Sequence, residues 1–529
     1  MWVENVRRAS LVRLRAIVKN RMLTLPRIGL LLIALVVLVV ATLVLWGGSA
    51  ARPVNPPLTR SRANTELLQF EQLEHNRGEQ RDLVVLAFSG GGTRAAAFSY
   101  GVLEALRRME VLTSTGHRIR LLDEVDVITG ISGGSFTALA YGLYGEKLFD
   151  ENQYEKGFLK RDVQGELVRR AMNPLHWRAL ASKGWSLSEL AAQLYDEILF
   201  HGATFADLNR EGEPAIGVGA TELSTGSRVV FTQQNFDVMC TELDSFRLSR
   251  AAAASSAVPV VLSPLTINNY GGTCDYQYPD WLRQFSESAT PPRPAGRILK
   301  RMQELGELDD AVKDPYFHLV DGAVSDNLGL RGVLDYMETF EALRAAGQAT
   351  PLNHVRRVLI FVVNSVSSPA TVWNTSENPP GRIDVLMKAA GVPIDRYANE
   401  SVELLRDIDA RWTSMRAIRD SVSFTRSKDP KLAYIVNAPD ADIYVIDVSF
   451  RALKNQKERD YLNQLPTSFA LPAAAVDRLR AAAASIVLES PDLREALRDA
   501  GASIVEPLKS APSPPPSAAT TPVTPVVRN

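Results

Sequence analysis

Residues 125–144 read VDVITGISGGSFTALAYGLY. Val125, Val127, Ile128 and Thr129 are β-branched and favour a strand. Gly130, Gly133 and Gly134 surround Ser132 and permit a tight reversal. Phe136 to Tyr144 then has the apolar content of a helix lying on a sheet. A Gly-x-Ser-x-Gly turn between strand and helix is a nucleophile elbow, which holds a serine hydroxyl clear of the sheet edge. A glycine-rich turn without chemistry is the plain alternative. Its place between a β-branched strand and an apolar helix favours function.

Two further turns have the same form. DLVVLAF (82–88) runs into Ser89-Gly90-Gly91-Gly92-Thr93-Arg94 and an apolar-faced helix through Leu106. Phe317–Val320 runs into Asp321-Gly322-Ala323. A strand, a crossover helix and a parallel strand bring both strand ends to one sheet edge. If the third strand is also parallel, Asp321 emerges there too. Alternation of strand, turn and helix predicts an α/β fold with a mainly parallel central sheet and helices on both faces. VLIFVV (358–363) and IYVIDV (443–448) add strands, so the folded domain is expected over 82–499, with its motif core at 82–365 and insertions near 285–312 and 369–394.

Consecutive glycines free backbone N–H groups to face an anion, and a helix begins just after them. No Gly-Lys-Ser/Thr follows, so the loop is not a Walker A, and Ala95 stands where a dinucleotide site needs its third glycine. With a nucleophile expected nearby, the N–H groups of Gly91 and Gly92 are read as an oxyanion hole. Gly90, Gly130, Gly134 and Gly322 shape the turns. Arg94 either braces the loop or binds a lipid phosphate, and bracing is the plainer role. A hydroxyl nucleophile needs a base, commonly histidine. His176, His201, His318 and His354 follow Ser132, none in a turn of catalytic character, and His318 reads as a core residue inside an apolar strand. Asp321, at a strand end before a glycine, could accept the proton directly. A carboxylate near pKa 3.9 is a weak base and must rely on desolvation and oxyanion stabilisation.

The ordered set Ser-Gly-Gly-Gly-Thr-Arg-Ala, Gly-Ile-Ser-Gly-Gly-Ser and Asp-Gly-Ala resembles the patatin-like phospholipases, a family that includes cytosolic phospholipase A2. GATFADL (202–208), ATELSTG (220–226) and ASSAVP (254–259) are similar to bacterial members. The resemblance spans roughly 82–330. It implies a Ser-Asp dyad of Ser132 and Asp321, the glycine loop at Gly90–Arg94, and hydrolysis of fatty acyl esters without a cofactor. Ser89 and Ala95 depart from plant-type patatins, which carry aspartate and glycine there, and match the cytosolic phospholipase version. A Ser-His-Asp esterase with His318 or His354 as base, and an inactive lipid-binding scaffold, are the rival readings.

Ile28–Trp46 (IGLLLIALVVLVVATLVLW) carries no charge and has the length of a transmembrane helix. Seven arginines and lysines precede it, from Arg7 to Arg27, against Arg52, Arg60 and Arg62 soon after. The positive-inside rule then places 1–27 in the cytoplasm and the rest on the periplasmic side of the inner membrane. A cleaved signal peptide is the competitor. Residues 47–81 read as a linker with helical spacing at Thr65–His75, and 500–529 as a Pro/Ser/Thr-rich disordered tail. With 59 basic and 60 acidic residues, net charge −1, no basic excess points to nucleic acid. No metal-ligand spacing occurs. The expected partners are an acyl lipid substrate and the bilayer. Trp177, Leu180, Trp185 and Leu187 suggest a lipid-facing flap over 173–200. Cys240 and Cys274 are the only cysteines and could bridge in an oxidising compartment.

Overall fold

The computed structural model describes residues 51–60 and 81–505, apart from 151–152, 209, 211, 279–294, 346, 348–349, 370, 372 and 422–431, together with Leu35 and Leu38. Ile28–Trp46, Thr65–His75 and 506–529 lie outside these, but for the two leucines; the first residues read as disordered tail are ordered, with Ser503 and Ile504 pairing antiparallel with Leu112 and Val111. Among the described residues, no helix is long and apolar enough to cross a membrane.

The main unit covers 54–167 and 186–529. Its eight-stranded sheet contains β1 (Arg81–Phe88), β2 (Val127–Ile131), β3 (Ala215–Glu222), β4 (Arg228–Phe231), β5 (Leu265–Asn268), β6 (Tyr316–Asp321), β7 (Val355–Asn364) and β8 (Asp442–Ser449). The order is β8-β7-β1-β2-β3-β6-β5, with β4 also on β3. The helices used below are α1 (Gly92–Arg108), α2 (Gly133–Tyr144), α3 (Leu248–Ser255), α4 (Ala323–Asp326), α5 (Arg382–Arg419) and α6 (Ala473–Glu489).

Strands β8, β7, β1, β2 and β3 are parallel, while β6, β5 and β4 join antiparallel. The sheet is therefore mixed: the five-stranded parallel part is as expected, and three antiparallel strands extend it. The parallel half is covered on both faces, so its strands are apolar throughout. Side chains alternate between the faces. Val84, Leu86 and Phe88 of β1, with Leu359, Phe361 and Val363 of β7, join a large core that includes α1 and α6. Val85 and Ala87, with Val358, Ile360 and Val362, join a second core closed by Leu405, Ile408 and Trp412 of α5.

Within the expected insertions, one helix spans Ala295–Leu308, and α5 starts at Arg382. α5 continues through Pro393. The smaller unit covers 1–53 and 168–185, including a helix at Pro174–Leu180 capped by Asn173. The segment read as one flap is thus divided: Leu187 starts a separate helix, Leu187–Tyr195, in the main unit.

Cys240 and Cys274 form a disulfide with 5.5 Å between their Cα atoms, across 34 positions. A loop of that length is worth about 3–4 kcal/mol in denatured-chain entropy. Alkylating the unreduced, denatured protein is expected to label no thiol, and reduction is expected to lower the melting temperature by several degrees.

Candidate active site

Ser132 sits between β2 and α2 with φ 48° and ψ −118°. That left-handed conformation is costly for a residue with a Cβ and is held by its surroundings. Its N–H donates to Ser255 Oγ at 2.8 Å, and Ser255 Oγ–H donates to the Gly219 carbonyl at 2.6 Å. Room for the turn comes from glycine. A Cβ on Gly133 would stand 2.0 Å from the Gly92 carbonyl oxygen. A Cβ on Gly130 or Gly134 would also crowd neighbouring backbone, at 2.8 and 2.7 Å.

Ser132 Oγ–H donates to Asp321 Oδ2 at 2.9 Å. The route by which Asp321 arrives differs from the parallel-strand route considered from sequence. On β3, Gly219 pairs with Ile131 at the end of β2, and the next residue, Ala220, pairs with Asp321 at the end of β6. β4 already occupies the other edge of β3 at Gly219 and Ala220. The two strands therefore share one edge and meet head-on, β2 rising to Ser132 and β6 descending to Asp321. Backbone donors complete the join: Asp321 N–H reaches the Ala257 carbonyl at 2.9 Å, and Gly322 N–H the Ser255 carbonyl at 3.1 Å. Gly322 itself packs against the Gly219 backbone, where a Cβ would be 2.3 Å from its oxygen.

Burial pushes the Asp321 carboxyl up to about 6, against the opposing pull of the Ala323 N–H and the Ser132 hydroxyl. A buried carboxyl loses the water that stabilises its charge, so it becomes a stronger base. The Ala323 N–H donates to Oδ1 at 2.8 Å, leaving Oδ2 for the serine.

The glycine loop lies against this pair. A Cβ on Gly90 would come 3.2 Å from Ser132 Cβ. Gly91 and Gly92 have φ of 140° and 60°. Gly90 N–H donates to the Asn327 carbonyl at 3.0 Å, and Thr93 N–H to the Ser468 carbonyl at 2.9 Å. Among the described residues no acceptor is found for the N–H groups of Gly91 and Gly92, and Gly92 opens α1. Arg94 is 3% exposed and spends its donors on the protein. Its guanidinium holds the Ser365 carbonyl at 2.7 Å, the Leu465 carbonyl at 2.8 Å and Thr467 Oγ1 at 3.1 Å. It braces the loop.

His318 and His354, the candidate bases of the triad reading, lie elsewhere. His318 is exposed, not a core residue as expected, and contacts Thr266 Oγ1 at 3.1 Å. Three positions from Asp321 on the same strand, it points to the opposite face. His354 precedes β7, at the sheet edge opposite the site. About 30 Å of strand separates it from Ser132.

Ser255 was quoted from sequence only as part of ASSAVP. The structure makes it the tie between the two turns, with its hydroxyl on Ser132 and its carbonyl on Gly322. Ser365 and Ser468, which hold the glycine loop, stand in no motif. Ser255→Ala is expected to lower kcat roughly 10- to 100-fold with KM within about threefold, since an unpaired N–H costs about 1–3 kcal/mol and frees the elbow. Ser255→Thr, which keeps the hydroxyl, should recover part of kcat. Equal kcat for Ser255→Ala and wild type would remove this role.

An α/β sheet whose strand-to-helix turn presents a serine to a buried carboxylate, beside a loop of unpaired N–H groups, has the parts of a serine hydrolase. Residues 86–334 match the family model of the patatin-like phospholipases, and the chain carries a domain of that family there. No curated protein matches the chain. Among solved structures, human GIVD cytosolic phospholipase A2 is similar at 13% identity over 85% of this chain and 69% of that one, with a TM-score of 0.40. The same enzyme with methyl gamma-linolenyl fluorophosphonate matches at 13% identity over 82% and 62%, TM-score 0.39. The type III effector protein ExoU matches at 15% identity over 80% and 76%, TM-score 0.17.

Proposed function

We propose that the protein is a membrane-anchored lipid acyl hydrolase working through a Ser132–Asp321 dyad. The observation that carries this reading is the 2.9 Å hydrogen bond from a strained elbow serine to a carboxylate raised to about 6. Ser132 Oγ attacks an ester carbonyl carbon while its proton passes to Asp321 Oδ2. The N–H groups of Gly91 and Gly92 take the oxyanion. Collapse breaks the ester C–O bond, and Asp321 returns the proton to the departing alcohol. Asp321 then deprotonates a water that attacks the acyl-serine. The fatty acid leaves and the proton goes back to Ser132. No cofactor enters.

A membrane phospholipid or another acyl lipid is the substrate. The apolar run Ile28–Trp46 with its basic N-terminal flank supports a single inner-membrane anchor, and the Cys240–Cys274 bridge supports an oxidising, periplasmic setting. An alkyl fluorophosphonate should form one adduct, on the peptide holding Ser132, and the protein should release fatty acid from phospholipid vesicles. An adduct on another serine, or vesicles left intact by labelled-competent protein, would sink the proposal. Alkaline phosphatase fused after Asn529 should be active, whereas a silent phosphatase would reverse the orientation.

A further inference from the structure

Asn55–Leu58, in the stretch read from sequence as free linker, is seated on the main unit. Asn55 is 2% exposed. Its side-chain Oδ1 accepts from Asn268 N–H at 2.8 Å, and its Nδ2 donates to the Asn268 carbonyl at 2.9 Å, so the amide pairs with one residue of β5 as a strand would. Tyr270 O–H donates to the Asn55 carbonyl at 2.9 Å. Glu242 N–H reaches the Pro56 carbonyl at 3.1 Å, and Leu58 N–H the Cys240 carbonyl at 2.7 Å. Cys240 is itself held to Cys274 by the disulfide. The strap therefore rests on a receiving loop that a covalent bond fixes.

Its seat has a definite place relative to the site. Asn268 pairs with Tyr316, the first residue of β6, and β6 ends at Asp321. Because β6 descends toward the site from beyond the edge of the parallel sheet, Asn268 lies past the dyad, beyond the C-terminal end of β2. Five residue steps put it about 17 Å farther out. Only Gly47–Val54, eight residues, separate Asn55 from the apolar run. They reach about 28 Å at most, against about 110 Å for a linker free to residue 81.

This end of the unit also exposes large apolar side chains on the elements that flank the dyad. Leu223 follows β3, and its N–H meets the His318 carbonyl at 3.0 Å. Val260 and Val261, 62% and 61% exposed, follow the Ala257 carbonyl that takes the Asp321 N–H. Val260 has φ 75°, an unusual conformation for a β-branched residue. Val312, Tyr316 and Val324 are exposed as well.

We propose that Asn55–Leu58 is an orienting strap that turns this end, with Leu223, Val260, Val261, Val312, Tyr316 and Val324, onto the lipid bilayer. The proposal rests on the membrane anchor in the reading above. A short leash ending on the site side favours contact of that side with the anchoring bilayer and raises the local concentration of its lipids. Apolar side chains that water leaves unburied gain by entering the acyl boundary.

The test uses the full chain in phospholipid vesicles, with p-benzoylphenylalanine at position 316 or, as the opposite-end control, at exposed position 354. Illumination should give lipid adducts at 316 at least tenfold above 354. Asn55→Ala, which frees the strap, should reduce that ratio to within about twofold. Twenty Gly/Ser residues inserted after Gly48 should do the same while leaving the folded unit intact, which covers a destabilised Asn55→Ala. Equal adducts at both positions in vesicle-bound wild type, or a ratio unmoved by the spacer, would overturn the strap while leaving the anchor standing. Chain that stays out of the vesicle fraction would overturn the anchor and the strap together.

Discussion

Asp321→Asn is expected to abolish nearly all turnover and at the same time to stabilise the protein at alkaline pH. Asparagine can still accept the Ala323 N–H, so the turn should hold. It cannot take the Ser132 proton, and kcat should fall on the order of 10³–10⁴-fold, the loss typical of removing a general base. The stability gain follows from the raised carboxyl, about 6 in the fold against 3.8 as its ordinary value. Between these values the folded state binds the proton more tightly than the unfolded one, so stability declines as pH rises from about 4 to about 6. About two pKa units correspond to roughly 3 kcal/mol, carried in full by wild type at pH 8. The variant lacks that penalty and should melt roughly 3 °C higher at pH 8, with the gap closing near pH 4. Wild-type kcat/KM should fall about tenfold per unit below pH 6, since only the ionised carboxylate accepts the proton. His318→Gln and His354→Gln should keep most activity. A histidine variant as inactive as Asp321→Asn, with folding intact, would restore the triad reading.

Ser132→Ala is expected to lose hydrolysis by 10⁴-fold or more, on the order seen when a hydrolase nucleophile is removed, together with all fluorophosphonate labelling. The fold should survive. Alanine keeps the φ 48° conformation no worse than serine, and the N–H still donates to Ser255. One hydrogen bond is lost, that to Asp321 Oδ2, worth about 1 kcal/mol. Its loss removes a contact that favours the ionised carboxylate, so Asp321 should titrate higher in the variant. Hydrolysis persisting in a correctly folded Ser132→Ala sample would place the nucleophile elsewhere.

The paired identity of these residues is legible locally. A glycine-flanked serine between a β-branched strand and an apolar helix can form little but an elbow, because periodicity and turn chemistry act over a few neighbouring residues. The same holds for the three-glycine loop, and for strands β1 and β7, whose continuous apolar runs announce burial on both faces. Other features depend on partners far away in the chain. That β6 pairs antiparallel with β3, just beyond the end of β2 at Ile131, is a long-range outcome, and nothing within 316–321 encodes it. His318 reads as apolar-strand core from its neighbours, yet strand alternation puts it on the exposed face. Ser255 and Ser365 gain their roles only when α3 and the end of β7 are folded against the two turns, since a hydroxyl has no preference for a partner 123 or 276 positions away until tertiary packing brings it within reach. Likewise Arg94 chooses bracing over phosphate because the carbonyls of Ser365 and Leu465 arrive from 271 and 371 positions downstream and fill its fork in a buried site. The sequence by itself thus determined the local turns and the chemical groups they carry. Their meeting, and the desolvation that raises the Asp321 carboxyl, came from long-range packing that buries the junction of β2 and β6.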